Sequence, residues 1–196
     1  MERTSLGVRV VIAEDEAIVR LDLKETLQEE GYEVVGETGR GDEAVQLVKE
    51  LTPDLAILDI KMPGQDGLAA AREITAEHRA AVLILTAFSQ RNLIEEARDA
   101  GVLAYLIKPF QRSELIPAIE VALARFNEMK ALRAEVDNLE EQLVTRRALD
   151  RAKGILMDEC AMKEGDAFTF IQQRAMQERA KMKAIAERVI AGDLRP

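Results

Sequence analysis

Five short apolar runs punctuate the first half of this 196-residue chain: Val8–Ala13, Tyr32–Val35, Asp54–Leu58, Ala81–Leu85 and Val102–Ile107. Each is rich in Val, Ile and Leu and is too short to read as a helix, so all five are expected to be buried strands. The intervening segments carry a helical period instead. Ile18, Leu21 and Leu27 recur on one expected face, then Ala44, Leu47, Val48 and Leu51, then Leu68, Ala71 and Ile74. Strands that are continuously apolar and alternate with helices imply a parallel sheet covered on both sides, with right-handed crossovers. The expected class is α/β, a five-stranded doubly wound sheet. In such sheets, ligands sit beyond the carboxyl ends of the strands.

The polar residues at those ends are unusual. The first strand runs into Glu14-Asp15-Glu16, the third into Asp59, the fourth into Thr86-Ala87 and the fifth into Lys108-Pro109. Carboxylates brought together from adjacent strands repel unless a cation or a shared proton neutralises them. Mg²⁺ suits such a rim because it takes oxygen ligands, keeps several waters and bridges carboxylates to phosphoryl oxygens. Asp15 and Asp59 are the expected ligands, with Glu14 acting directly or through water. Asp59 then becomes a phosphoryl acceptor, since phosphoryl transfer needs mainly positioning and charge neutralisation. Lys108 offers a compact positive charge to one phosphoryl oxygen and the Thr86 hydroxyl a hydrogen bond to another. Ala87 leaves room for the donor.

Several classes are set aside by composition. The single cysteine, Cys160, rules out an intramolecular disulfide and a four-thiolate zinc site, and points to a reducing cytosol. The N-terminal MERTSLG lacks a signal-peptide core, and no apolar run reaches the roughly 18–20 residues needed to span a bilayer. The expectation is a cytoplasmic protein without a membrane partner. Charge is uneven: residues 1–145 carry 16 Lys and Arg against 28 Asp and Glu, whereas residues 146–196 carry 11 against 8. An acidic front and a mildly basic tail suggest different partners.

Residues 8–126 resemble the receiver domain of two-component response regulators, a flavodoxin-like fold. The matching residues are Glu14-Asp15, Asp59 with Ile60-Lys61-Met62-Pro63-Gly64, Asp66-Gly67, Thr86-Ala87 and Lys108-Pro109-Phe110. The resemblance implies that Asp59 takes phosphate from a histidine kinase and that the backbone carbonyl of Lys61 completes the Mg²⁺ site. It also implies that Tyr105 swings inward as Thr86 moves toward the phosphoryl group. Tyr105 has a plainer reading, as a packing residue of an edge strand. Such a module is no enzyme; it promotes phosphoryl transfer only to its own Asp59. A haloacid-dehalogenase-like phosphatase would carry Asp-x-Asp after its first strand, where this chain has Glu14-Asp15-Glu16.

Beyond the fifth strand, Leu115, Ile119, Ala122, Phe126 and Met129 step by four, three, four and three, and Met129, Leu132, Val136, Leu139 and Leu143 by three, four, three and four. Two successive steps of three shift the seam between Phe126 and Leu132, where a domain helix gives way to a helical linker over 127–144. That linker is either a short coiled coil or a helix packed on the output domain of its own chain. Three helical stripes come next: Leu149, Ala152, Leu156 and Cys160; Phe168, Ile171, Ala175 and Met176; Met182, Ile185, Ala186 and Val189. A small three-helix all-α domain over 145–190 is expected, with breaks near Ala161–Gly165 and Gln177–Arg179 and with Phe168 and Phe170 in its core.

Arg146, Arg147, Arg151 and Lys153 cluster away from the first stripe, either as a phosphate-binding face or as a solvated face balanced by Asp150, Asp158 and Glu159. Gly154 sits inside this helix at a cost of about 1 kcal/mol relative to Ala, which suggests that something approaches its backbone closely, a ligand or a neighbouring helix. The segment Ala148–Met157, with Glu164–Phe168 and Ile185–Val189, resembles the ANTAR domain. That resemblance implies an RNA-binding output acting in transcription antitermination on paired hairpins of leader transcripts, with a homodimer on phosphorylation pairing two output modules. A DNA-binding output or a protein-docking adapter are the alternatives.

Overall fold

The computed structural model describes residues 7–87 and 91–196, with backbone alone at 91 and 92. Residues 1–6, most of the MERTSLG segment read for a leader, lie outside the described residues. The elements run β1 (Arg9–Ala13), α1 (Ala17–Glu29), β2 (Glu33–Thr38), α2 (Gly41–Leu51), β3 (Leu55–Asp59), α3 (Gly67–Ala76), β4 (Ala81–Thr86), α4 (Arg91–Asp99), β5 (Ala104–Ile107), α5 (Arg112–Cys160), α6 (Glu164–Glu178) and α7 (Met182–Ala191). The chain divides into two compact units, Met1–Lys130 and Ala131–Pro196. Among the described residues no helix is long and apolar enough to cross a membrane.

The first unit is the expected five-stranded parallel sheet, in the order β2-β1-β3-β4-β5. Strand alternation sorts its core into two clusters. Val11, Ala13, Ala56, Leu58, Val82 and Ile84 face one side with α2, α3 and α4. Val10, Ile12, Leu55, Ile57, Leu83 and Leu85 face the other with α1 and the start of α5. The three inner strands are continuously buried or nearly so, as their composition predicts, but the edge strands β2 and β5 are only partly covered. Strand β2 also runs on to Thr38, past the apolar run ending at Val35, because Gly36, Glu37 and Thr38 pair with Val11, Ile12 and Ala13 beyond a register shift.

Helix α1 corrects one expectation. Leu23 and Leu27 are buried, while Ile18 and Leu21 are exposed. With 3.6 residues per turn, Ile18 lies about half a turn away from Leu27, so the three do not share a face. The α2 and α3 stripes do pack on the sheet, with Leu47 and Leu51 at the margin.

Helix α5 continues without interruption from Arg112 to Cys160, so the domain helix, the linker and the first stripe of the C-terminal domain are one helix. Leu115, Ile119 and Ala122 are fully buried in the first unit. The following seam residues Met129, Leu132, Val136, Leu139 and Leu143 are all exposed, so the seam shift read between Phe126 and Leu132 coincides with a change from buried to open. In the second unit, Ala152 and Leu156 of α5 pack with Ala167, Ile171 and Ala175 of α6 and Ile185, Ala186 and Val189 of α7. Met176 and Phe168, expected in the α6 stripe, are exposed, and Ala167 takes the inward position.

Candidate functional site

The strand order makes the ends of β1 and β3 neighbours at the point where the crossovers change direction, the place where such sheets hold ligands. Glu14 and Asp15 follow β1 and Asp59 closes β3. One carboxylate oxygen from each of the three lies within 4.8 Å of the others. Glu14 is fully buried and Asp59 nearly so, whereas Asp15 is exposed. Two acids held this close out of water need a cation. Lys108 supplies one from the end of β5: its Nζ lies 2.6 Å from Glu14 Oε2 and 2.9 Å from Asp59 Oδ1. Burial pushes the Glu14 carboxyl above its usual range, the hydrogen bond from Lys108 pulls it back, and the Asp59 charge pushes it up again. Burial by itself would lower the Lys108 ammonium, but its bonds to Glu14 and Asp59 outweigh that and raise it.

The loop after β3 is shaped around Asp59. The Lys61 backbone N–H donates to Asp59 Oδ2 at 2.9 Å, and the Gly67 N–H donates to the Ile60 carbonyl at 2.8 Å. A Cβ at Gly67 would lie 1.9 Å from the Asp59 carbonyl oxygen, so only glycine permits this closure. Asp66 then caps α3, its Oδ1 accepting from the Ala69 N–H at 2.8 Å. Thr86 is buried at the end of β4, and its carbonyl accepts from the Lys108 N–H at 2.7 Å. Ala87 beside it is exposed. Tyr105 on β5 is 42% exposed, so it is not a buried packing residue in this conformation.

With the acids adjacent, the residues fit a Mg²⁺ ion: Glu14, Asp15 and Asp59 present three oxygen ligands, and Lys108 cancels only part of their charge. Lys61 meets the site in this structure through its N–H.

In the second unit the basic residues separate into two kinds. Lys153 is engaged by Asp150 at 3.0 Å and Glu164 at 2.8 Å. Arg146, Arg147 and Arg151 are exposed, and the described residues include no carboxylate partner for any of them. Of the three balancing acids, Asp150 pairs with Lys153 of the cluster itself and Glu159 pairs with Arg195 at 2.7 Å. Arg147, Arg151 and Gly154 follow one another at spacings of four and three along one face of α5. A Cβ at Gly154 would meet nothing within 4 Å, so no neighbouring helix explains this glycine.

Comparison with known families joins these two halves. The description "response regulator receiver domain" matches residues 10–120, and the ANTAR domain matches residues 137–190. The chain belongs to the response regulators and carries an ANTAR output domain. It is 56% identical over 182 residues to the transcriptional regulatory protein PdtaR of Mycobacterium tuberculosis, covering 93% of this chain and 89% of that one. Its receiver half is 39% identical over 115 residues to the chemotaxis protein CheY of Thermotoga maritima, covering 58% of this chain and 96% of CheY. The signal receiver domain of NarL from Mycobacterium tuberculosis superposes with a TM-score of 0.58 at 30% identity, covering 61% of this chain and 98% of that domain. The ANTAR match does not favour the alternatives of a helix-turn-helix reader of DNA or a docking adapter.

Two features of this response regulator escaped the sequence reading. The Lys108 to Glu14 pair joins residues 94 positions apart, and no local pattern signals it. Phe168, placed in the core by its helical stripe, is 40% exposed, and the signal that would have found this is Ala167, whose small side chain fills the inward position next to it.

Proposed function

We propose that this response regulator accepts a phosphoryl group on Asp59 from the phosphohistidine of a cognate histidine kinase and answers by binding RNA through its ANTAR domain. The observation that carries the input half is the meeting of Glu14, Asp15, Asp59 and Lys108 at one edge of the sheet. A bond forms between an Asp59 carboxylate oxygen and phosphorus as the P–N bond of phosphohistidine breaks, and the freed imidazole nitrogen takes a proton. Asp15, Asp59 and the Lys61 backbone would hold Mg²⁺, with Glu14 direct or through water, and the ion would supply positive charge to the carboxylates and the incoming phosphoryl group. Lys108 keeps its ammonium at the site and meets a second phosphoryl oxygen. Thr86 turns its hydroxyl to a third, Ala87 leaves the approach open, and Tyr105 moves inward behind Thr86. The chain acts as a switch, charged once on its own aspartate, and has no external substrate to turn over.

On the output side, Arg146, Arg147, Arg151 and Lys153 meet phosphates while Gly154 lets the RNA backbone come close to the helix. The three unpaired arginines support this reading, since unpaired guanidiniums on one helix end are free to release counterions from RNA. The exposed seam from Met129 to Leu143 supports a homodimer on phosphorylation, which presents two output modules to paired hairpins of a leader transcript and so acts in antitermination. Kinase phosphodonor and nascent RNA are both cytoplasmic, and the chain works there. The domains would divide as receiver 8–126, linker 127–144 and ANTAR 145–190.

The test is mass spectrometry of the intact chain with a small phosphodonor. One added phosphoryl group is expected, dependent on Mg²⁺ and lost in Asp59→Asn. Sedimentation and hairpin affinity of the same samples should both rise with the donor in wild type only. A wild-type chain that gains no mass, or gains it equally in Asp59→Asn, refutes the assignment.

A further inference from the structure

The second unit contains a groove of about 890 Å³ between the later part of α5, α6 and the start of α7. That volume lies within the range of about 300–1,000 Å³ in which small ligands are held. Its apolar wall is Leu139, Leu143 and Leu149, and Phe168 stands against it with 40% of its surface open. Along one side, Asn138, Gln142 and Arg146 repeat every four residues and so form a continuous polar row on α5. The acids of the groove are already satisfied, Glu141 by Lys181 at 3.0 Å and Asp150 by Lys153 at 3.0 Å. Arg146 is left as a cation without a carboxylate partner among the described residues.

We propose that this groove seats one unstacked RNA base on the ring of Phe168, with the flanking phosphate on the Arg146 guanidinium. The inference rests on the RNA-binding reading above and deepens it. Each part of the groove matches a part of a nucleotide. An exposed aromatic ring beside leucines offers a stacking face that any base can use. The side-chain amides of Asn138 and Gln142 each present a donor and an acceptor, the pairing needed for a base edge. The guanidinium, without a carboxylate partner among the described residues, is complementary in charge to a phosphate, which an apolar peptide side chain does not offer. A base locked in a duplex cannot reach the ring, so the groove selects single-stranded loops over paired stems.

The experiment uses the full chain, a hairpin that the wild type selects from a pool with randomised loops, and the fully paired duplex of the same stem. Phe168→Ala is expected to weaken hairpin binding by about tenfold or more, with the salt dependence unchanged, because stacking releases no counterions. Phe168→Trp should retain affinity. Arg146→Ala should lower the salt slope by about 0.7, the share of one single-strand phosphate contact. Binding to the duplex should be indifferent to either change at Phe168. Circular dichroism and thermal melting of Phe168→Ala should match wild type, since the ring is not part of the core. If Phe168→Ala binds the hairpin as wild type does, the base site is overturned while RNA binding stands. If instead it alters only self-association, the groove belongs to a second copy and the base site is again overturned. If wild type selects no hairpin at all, RNA binding itself fails.

Discussion

The receiver unit places its chemistry inside and the ANTAR unit places its chemistry outside. Asp59, Glu14 and Lys108 sit at the ends of strands held by two buried clusters, and they bind one another at 2.6 and 2.9 Å. Arg146, Arg147 and Arg151 project from an exposed helix face above a single small cluster, four of whose nine buried residues are alanine. A site that must hold repelling carboxylates together needs a stiff frame, because their separation decides whether an ion and a phosphoryl group fit. A face that meets a polyanion gains from charge left unpaired, and tolerates variation in position.

That contrast can be broken first at Lys108. Lys108→Ala leaves Glu14 and Asp59 buried against each other without their cation, and should cost about 3–5 kcal/mol in chelator. Added Mg²⁺ should restore more stability to the variant than it adds to wild type, read by urea melts with and without the ion. Equal stability of variant and wild type in chelator would mean that the rim is not held by this ionic triad.

Core truncation comes next. Leu156→Ala and Leu83→Ala each remove a fully buried leucine, at about 2–5 kcal/mol. In the ANTAR unit that loss falls on a core of nine buried residues, so calorimetry of Leu156→Ala should show its transition lost or merged into the baseline near ambient temperature. Leu83→Ala should still melt cooperatively. A Leu156→Ala chain with a sharp second transition would show that the small unit draws stability from elsewhere.

Smaller still are the single arginines. Arg147→Ala and Arg151→Ala should each lower the salt slope of hairpin binding by about 0.7–0.9, with affinity falling alike for all sequences. Lys153→Ala should change the slope less, because Asp150 and Glu164 already occupy its ammonium. An equal effect from all three would erase the distinction between paired and unpaired cations.

The mildest effect concerns the receiver frame. The Tyr32 hydroxyl donates to Glu120 Oε1 at 2.8 Å, and burial together with that bond raises its pKa. The ordinary phenol value is near 10, so below that pH both folded and unfolded states keep the proton and this bond contributes fully. As pH climbs past 10 the unfolded phenol ionises while the folded one must stay protonated, and stability falls. Tyr32→Phe should flatten that alkaline fall and cost about 0.5–1.5 kcal/mol near neutrality. Parallel alkaline curves for the two proteins would remove Tyr32 as the cause.

Much of the fold was legible because its signals are local. The runs at β1, β3 and β4 named themselves by their density of Val, Ile and Leu, and the two steps of three between Phe126 and Leu132 marked where α5 leaves the first core. The α1 face was misread since Ile18 and Leu21 are apolar yet lie away from Leu27, and apolar type alone does not say which side meets the sheet. The breaks read near Ala161–Gly165 and Gln177–Arg179 are where α5 gives way to α6 and α6 to α7, because the apolar stripes end there. Phe168 was assigned inward by its place in the stripe with Ile171 and Ala175, but Ala167 and Ile171 already fill that interface.

By itself the sequence determined the element types, the acids, threonine and lysine that stand at strand ends, and the mildly basic balance of residues 146–196, all of which follow from residue type and spacing along a few turns or strands. Only the tertiary structure decided that β1 lies between β2 and β3, which brings Glu14 and Asp15 to Asp59, and that Lys108 reaches across 94 residues to Glu14 while also pairing with Asp59. It likewise decided which cations of the ANTAR unit are already paired and which are open. Pairings of this kind depend on how packed elements meet in space, and residues far apart in the chain carry no local trace of one another.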